Sequence, residues 1–338
     1  MGQVKIGING MGRIGRTLLR QYLNDSNRLF SIAAVNSPGV LKEYAHLIKY
    51  DSVHGPLKED VQIVGDDEIK IGDNPFKFYG YKDPAEIPWE KHDVDIVIDA
   101  SGVFKDSESL GKHKRGSVKK VIMCAPGKNL DGTFVMGINH ETYNNDTHHI
   151  VSNASCTTNC LAPVAKVLHE KFEIESGFMT TIHSYTSDQR ILDTNHSDMR
   201  RARSAALSMI PTTTGAAKAV GLVIPELLGK LDGFAIRVPT PNVSLVDFNV
   251  TLKTNVTIEE VNNALIEASN GQLQGVLSCT HEELVSCDYN GMKDSSRVDL
   301  PMTNVIGGNN VKVVAWYDNE TGFSNRVLDL AGHMGSKL

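Results

Sequence analysis

Cysteine is scarce in this 338-residue chain, and the five present, Cys124, Cys156, Cys160, Cys279 and Cys287, are scattered. That excludes a disulfide framework. With no second cysteine pair at zinc spacing beside Cys156 and Cys160, no metal is expected either. Long apolar runs are also missing: none approaches the length needed to span a bilayer, which argues against a membrane as a main partner. The opening Met1-Gly2-Gln3-Val4-Lys5 runs straight into a strand pattern and does not read as a signal peptide. Positive charge is not in excess, since 34 Lys and Arg against 40 Asp and Glu leave a formal net charge of -6. That argues against nucleic acid as a main partner. The one basic run, residues 112–120, reads as a solvated face. No tract is of low complexity. An ordinary globular composition remains, 41% hydrophobic and 22% charged, in a chain long enough for two domains with real cores. A reduced, cytoplasmic location fits it best.

Lys5-Ile6-Gly7-Ile8-Asn9 reads as a short strand. Gly10-Met11-Gly12-Arg13-Ile14-Gly15 follows at once, ahead of a helical stretch carrying Leu18, Leu19 and Tyr22. Strand, G-x-G-x-x-G, helix is the context that makes the glycine pattern a dinucleotide fingerprint. Gly10 permits the tight turn, Gly12 lets a pyrophosphate approach the backbone, and Gly15 lets helix and strand pack closely. The helix start then offers N–H groups to phosphate. Residues 30–36 read as a second strand, and 94–100 and 120–124 as further buried parallel strands. Ligands in such sheets bind beyond the carboxyl ends of the strands, which points at Ser37, Ser101, Gly102 and Cys124. An NAD site usually places Asp or Glu at the end of the second strand, on the ribose 2′-hydroxyl. Here the residue is Ser37, and no carboxylate lies closer downstream than Glu43. Without that repulsion the pocket should accept NADP as well as NAD.

The most informative stretch is Ser155-Cys156-Thr157-Thr158-Asn159-Cys160. Leu161, Val164, Ala165 and Leu168 follow at helical spacing. Ser155 is a plausible cap, which puts Cys156 at the positive end of a helix, where a thiolate is favoured. Pro163 cannot donate inside a helix, so a first-turn boundary or a kink is expected there. His183 sits in Phe178-Met179-Thr180-Thr181-Ile182-His183-Ser184-Tyr185, a β-branched, aromatic run that reads as a strand. A cysteine and a histidine together make a thiolate–imidazole pair credible. Residues 186–215 show no clean period, carry Arg190, Arg200, Arg201 and Arg203, and end Pro211-Thr212-Thr213-Thr214-Gly215. Long irregular segments in compact domains are usually functional, and these side chains suit phosphate oxygens. Arg237 is expected just after a strand at residues 234–236.

Several motifs in order carry a family resemblance: Ile8-Asn9-Gly10-Met11-Gly12-Arg13-Ile14-Gly15-Arg16, Lys49-Tyr50-Asp51-Ser52-Val53-His54-Gly55, residues 152–160, Thr214-Gly215-Ala216-Ala217-Lys218-Ala219 and Trp316-Tyr317-Asp318-Asn319-Glu320. Over essentially its whole length the chain resembles phosphorylating glyceraldehyde-3-phosphate dehydrogenases. The resemblance implies an α/β fold: a Rossmann dinucleotide-binding domain over residues 1–154 and an α+β catalytic domain with a mostly antiparallel sheet over 155–319. The C-terminal helix, 320–338, would pack back on the first domain. It also implies a homotetramer, in which residues 186–215 reach the cofactor of a neighbouring subunit. Cys156 would be the nucleophile and His183 its activator. Ser155, Thr157, Thr214 and Gly215 would bind inorganic phosphate with Arg203 close by, and Thr186 and Arg237 the substrate phosphate. Arg13, Ile14, Lys82, Cys124 and Asn319 would line the dinucleotide site. The implied reaction runs through a cysteine hemithioacetal and a thioester that inorganic phosphate cleaves to an acyl phosphate.

The chain departs from the family pattern at Ser37, where an acidic residue is usual, and at Thr194 and Asn195, where NAD-restricted members tend to have Leu-Pro. Both changes point to dual cofactor use. Cys124 stands where Ser or Thr is common, and Thr321 where an aromatic residue is. The nearest rival reading is an erythrose-4-phosphate dehydrogenase, in which water resolves the thioester. A redox-sensing protein switching on Cys156 is the rival of a different class. It would not need His183, Arg237 and a threonine-rich anion site together.

Overall fold

The structure is a computed structural model that describes residues 3–25 and 27–338. Met1 and Gly2, the start of the N-terminal reading, lie outside the described residues. The chain divides into two compact units. The first comprises residues up to Phe134, His140–Ala154 and Ser324–Leu338; the second comprises Val135–Asn139 and Ser155–Phe323.

The first unit is built on a nine-stranded sheet. Its strands are β1 (Val4–Asn9), β2 (Phe30–Asn36), β3 (Val61–Val64), β4 (Glu68–Ile71), β5 (Asn74–Tyr79), β6 (Ile96–Asp99), β7 (Lys120–Met123), β8 (Gly132–Thr133) and β9 (Ile150–Ser152), in the order β3-β4-β5-β2-β1-β6-β7-β9-β8. From β5 to β8 every neighbouring pair is parallel. Ile6, Ile8, Val97, Ile98, Val121 and Ile122 are fully buried, the pattern of parallel strands covered on both faces. The strand order reverses between β1 and β6, and that switch point is where such sheets bind ligands.

Helix α1 (Arg13–Leu23) follows β1, and α2 (Leu41–Lys49) follows β2. Arg13 Nη1 holds the Asp51 carboxylate at 2.6 Å, tying the start of α1 to the chain just past α2. Burial works against the Asp51 charge, but the His54 and Val53 amides and Arg13 together hold its pKa down to about 2. Of the basic run, Lys112 and Lys119 are exposed and pair with Asp83 and Asp95, whereas Lys120 is buried and donates to the His148 carbonyl.

The second unit contains an eight-stranded sheet: β10 (Ile174–Ser184), β11 (Ile210–Thr213), β12 (Leu231–Val238), β13 (Ser244–Leu252), β14 (Leu277–Thr280), β15 (Ser296–Asp299), β16 (Asn304–Ile306) and β17 (Asn310–Tyr317). Five of its seven strand pairings are antiparallel, so the sheet is mostly antiparallel, as expected. Helix α4 (Cys156–Phe172; the short α3, Ser107–Gly111, lies in the first unit) packs on β13, β15 and β17 and against α5 (Ala216–Val223) and α6 (Ile258–Asn270).

Two local expectations are corrected. Pro163 marks no boundary: α4 runs through it. Its missing N–H removes one bond to the Asn159 carbonyl, but Leu161, Ala162, Val164 and Ala165 around it are all buried, so packing holds the helix. Arg237 does not follow a strand; it lies inside β12, which extends beyond residues 234–236 at both ends.

The last helix, α7, spans Thr321–Gly335. Within the first unit, Val327, Leu328, Leu330, Ala331 and Met334 are fully buried. Asp329 accepts from Arg28 at 2.7 Å, and Gly332 lies against Phe30.

Candidate active site

Ser155 is extended and caps α4: its Oγ accepts from the Thr158 amide at 3.0 Å. Cys156 is therefore the first residue of the helix, as its sequence context predicts. His183 lies on β10, in parallel register with Arg237 on β12. In-register neighbours project to the same side of a sheet, so the two side chains meet. Cys156 Sγ stands 3.5 Å from His183 Nε2.

The opposite ring nitrogen fixes the polarity of that contact. His183 Nδ1 is 2.7 Å from the Ser184 carbonyl oxygen, and Arg237 Nη1 donates to the same oxygen at 2.9 Å. A carbonyl can only accept, and Arg237 Nη1, 3.0 Å from Nδ1, already has that carbonyl as its acceptor, so the shorter contact puts the ring proton on Nδ1 and Nε2 presents its lone pair to the thiol.

Electrostatics correct the expectation of a ready-made thiolate. Burial pushes the Cys156 thiol above its ordinary value, more than Arg237 and the Thr157 hydroxyl and amide pull it down. The same burial, helped by the Arg237 charge, lowers the His183 pKa to about 3. Burial thus disfavours the charged form of both partners, and each needs the other, or a substrate, to become charged.

The predicted anion residues take different places. Thr157 is buried, and its hydroxyl is bonded to Tyr317 Oη at 2.8 Å. Tyr317 also meets Thr181 and stands edge-on to His183, a support that the motif alone did not disclose. Thr214 Oγ1 accepts from the Ala216 amide, and Gly215 caps α5 with open space where a Cβ would stand. Thr186 is bonded to Gln189. Arg203 turns away to an exposed ion pair with Asp193. Arg201, one of four arginines in the irregular segment, instead reaches Thr212 Oγ1, the Thr213 carbonyl and Asp188, and its charge acts on both His183 and Arg237. The hydroxyl run 212–214, whose first two residues end β11, was the available signal for it.

In the first unit the fingerprint has the predicted geometry. Gly10 has φ +95, and a Cβ there would lie 2.5 Å from the Ser101 backbone; one on Gly15 would lie 1.9 Å from the Gly10 carbonyl oxygen. A Cβ on Gly12 would meet nothing. Gly12 caps α1 without a side-chain bond, and the first turn, with Arg13 and Ile14, has no acidic residue. An open cradle at an uncapped helix start fits a dinucleotide pyrophosphate. Ser101 is fixed through Asp99, Cys124 follows β7, and Lys82 is exposed. Ser37, at the end of β2, is buried and donates to Tyr44 Oη at 2.7 Å. Asn319, in the second unit, is also buried.

Fold and glycine fingerprint together define the class of nucleotide-dependent dehydrogenases. Comparison with known proteins makes the class specific. Residues 155–319 match the family profile "Glyceraldehyde 3-phosphate dehydrogenase, C-terminal domain", and residues 4–107 match the corresponding "NAD binding domain". The chain is 55% identical to "Glyceraldehyde-3-phosphate dehydrogenase 1" of Bacillus cereus, covering 98% of this chain and 99% of that one. It is 54% identical to the Geobacillus stearothermophilus enzyme of that name, over 99% of both chains, and 50% identical to the chloroplastic A form of Chlamydomonas reinhardtii, over 97% and 88%. The protein belongs to the glyceraldehyde-3-phosphate dehydrogenase family.

Proposed function

We propose that this protein converts D-glyceraldehyde 3-phosphate, NAD and inorganic phosphate into 1,3-bisphosphoglycerate and reduced cofactor. The observation that carries the reading is the Cys156 sulfur facing the lone pair of His183 Nε2. His183 takes the thiol proton as sulfur bonds to the aldehyde carbon, then returns it to the new alkoxide to give a hemithioacetal. It next removes the hydroxyl proton as the carbon is oxidised to a thioester. NAD, when bound, accepts the hydride of that oxidation. A phosphate oxygen then attacks the thioester carbon, and the Cys156 thiolate leaves. Ser155, Thr214 and Gly215, with Thr157 beside them and Arg201 in the place expected of Arg203, serve the attacking phosphate, and Thr186 and Arg237 the phosphate of the substrate. Gly10, Gly12, Arg13, Ile14, Gly15, Ser37, Lys82, Ser101, Cys124 and Asn319 serve the dinucleotide.

The absence of a carboxylate at Ser37 supports use of NADP beside NAD. A homotetramer is supported by Ile191, Leu192, Met199, Leu207 and Met209, large apolar side chains left more than two-thirds exposed in the segment between β10 and β11. The five free cysteines suit the cytoplasm.

The test follows absorbance of reduced cofactor with and without inorganic phosphate. Turnover should require phosphate and fall at least about 10⁴-fold in Cys156→Ser, while dinucleotide binding persists. Free turnover without phosphate would instead indicate hydrolysis of the thioester, the erythrose-4-phosphate dehydrogenase chemistry.

A further inference from the structure

We propose that Ser184 and Ser244 are positioning residues that lock the side-chain amide of Asn319, turning its Nδ2 group outward to donate to the carboxamide oxygen of bound nicotinamide. This rests on the reading of Asn319 as a cofactor residue.

Three chain segments converge here. β10 ends at Ser184, β13 begins at Ser244, and Ser244 pairs with Tyr317 at the end of β17, two residues before Asn319. Both serine hydroxyls approach one atom: Asn319 Oδ1 lies 2.9 Å from Ser184 Oγ and 2.8 Å from Ser244 Oγ. Ser244 Oγ already accepts the Ser184 backbone N–H at 3.1 Å, so its proton is free to point at Oδ1. Were the amide reversed, the two hydroxyl protons would have only each other's oxygens, 3.4 Å apart, in a buried position. Leaving a buried O–H unmet is unfavourable, so the hydroxyls select one of the two amide orientations. Asn319 is 5% exposed, and its Nδ2 makes no hydrogen bond to the described residues. A donor without a protein partner, on a side chain this enclosed, points to a ligand acceptor.

The backbone beside the clamp is strained. Val243, a buried β-branched residue, holds φ +68, in the left-handed region. Such a conformation persists where its surroundings over-determine it, and here it sets the start of β13 and the aim of Ser244. Ser184 thus serves two ends of the site. Its carbonyl holds His183 and Arg237, and its hydroxyl holds Asn319.

Calorimetric binding of NAD and of ADP-ribose, which lacks the nicotinamide, to the full chain separates this role from general damage. The variants are Ser184→Ala, Ser244→Ala and Asn319→Ala. Each serine variant should bind ADP-ribose within about twofold of the parent and NAD about tenfold more weakly, the size of one hydrogen bond. Equal weakening of both ligands, or of neither, overturns the clamp. Selective loss in Asn319→Ala without loss in either serine variant overturns the clamp and leaves the Asn319 reading standing. No selective loss in Asn319→Ala overturns that reading and the clamp with it.

Discussion

Arg237 Nη1 stands 3.0 Å from His183 Nδ1, so a permanent positive charge abuts the ring nitrogen opposite the one that faces Cys156. That charge favours the thiolate and disfavours the imidazolium, and it is the residue proposed to receive the substrate phosphate. A phosphate on Arg237 would offset its charge and make His183 a better proton acceptor when substrate is present.

Arg237→Gln should therefore discriminate between aldehydes. For glyceraldehyde 3-phosphate kcat/KM should fall at least about thirtyfold, roughly 2 kcal/mol. For unphosphorylated glyceraldehyde the loss should be several-fold smaller. Steady-state kinetics on both aldehydes check this, and equal losses would sink the phosphate role.

His183 makes folding stability depend on pH. Its folded pKa of about 3 lies below the ordinary 6.5, so between those values the unfolded chain binds the extra proton. The stability tied to its neutral form is complete above pH 6.5 and is lost progressively as pH falls towards 3. Between pH 7 and pH 5 its share is about 2 kcal/mol. Urea unfolding at both pH values should show a smaller acid loss in His183→Gln than in the parent; equal losses would contradict the buried neutral imidazole.

The two ends of the glycine fingerprint should fail differently. Gly10→Ala needs an alanine at φ +95 and a Cβ 2.5 Å from the Ser101 backbone, so thermal stability should drop sharply. Gly12→Ala projects into open space, so the melting temperature should hardly move. Its NAD affinity should nevertheless fall, on the order of tenfold or more, because the methyl occupies the phosphate cradle. A Gly12→Ala variant binding NAD normally would remove the pyrophosphate from that position.

Cofactor choice should follow Ser37. The ratio of kcat/KM for NAD over NADP should lie below about a thousand, some 4 kcal/mol. Ser37→Asp adds a charge against a 2′-phosphate, with the Tyr44 hydroxyl turning its proton from the Pro38 carbonyl to the new carboxylate, so it should raise the ratio about tenfold or more. An unchanged ratio would mean that the residue does not face the ribose.

Local pattern made four of the nine strands of the first sheet, β1, β2, β6 and β7, legible. Residues 30–36 match β2 to the residue, because the run has the length of a strand rather than a helix and carries Phe30, Ile32 and Val35. The capped start of α4 was equally plain from Ser155. Less was visible where distant segments decide the outcome. β12 opens with Leu231-Asp232-Gly233, a sequence that hides a strand, and only its register with β10 brings Arg237 to His183. Arg201 and Arg203 look alike in the chain; their partners, Thr212 and Asp193, separate them. The hydroxyls around Asn319 come from positions 60 and 75 or more residues apart, which no local signal joins. The upward pull of burial on the Cys156 thiol escaped the sequence because a helix terminus can be read there and desolvation cannot.

The first unit is made from distant stretches of chain: residues up to Phe134, His140–Ala154 and Ser324–Leu338 share one core. During synthesis, therefore, the nucleotide-binding half emerges first yet cannot finish closing until α7 leaves the ribosome, after the whole catalytic half has appeared. Phe30, beside Gly332, must wait for that last segment to cover it. A nascent chain stalled after residue 154 would expose an incomplete sheet, and any tag fused to Leu338 sits next to the piece that completes it.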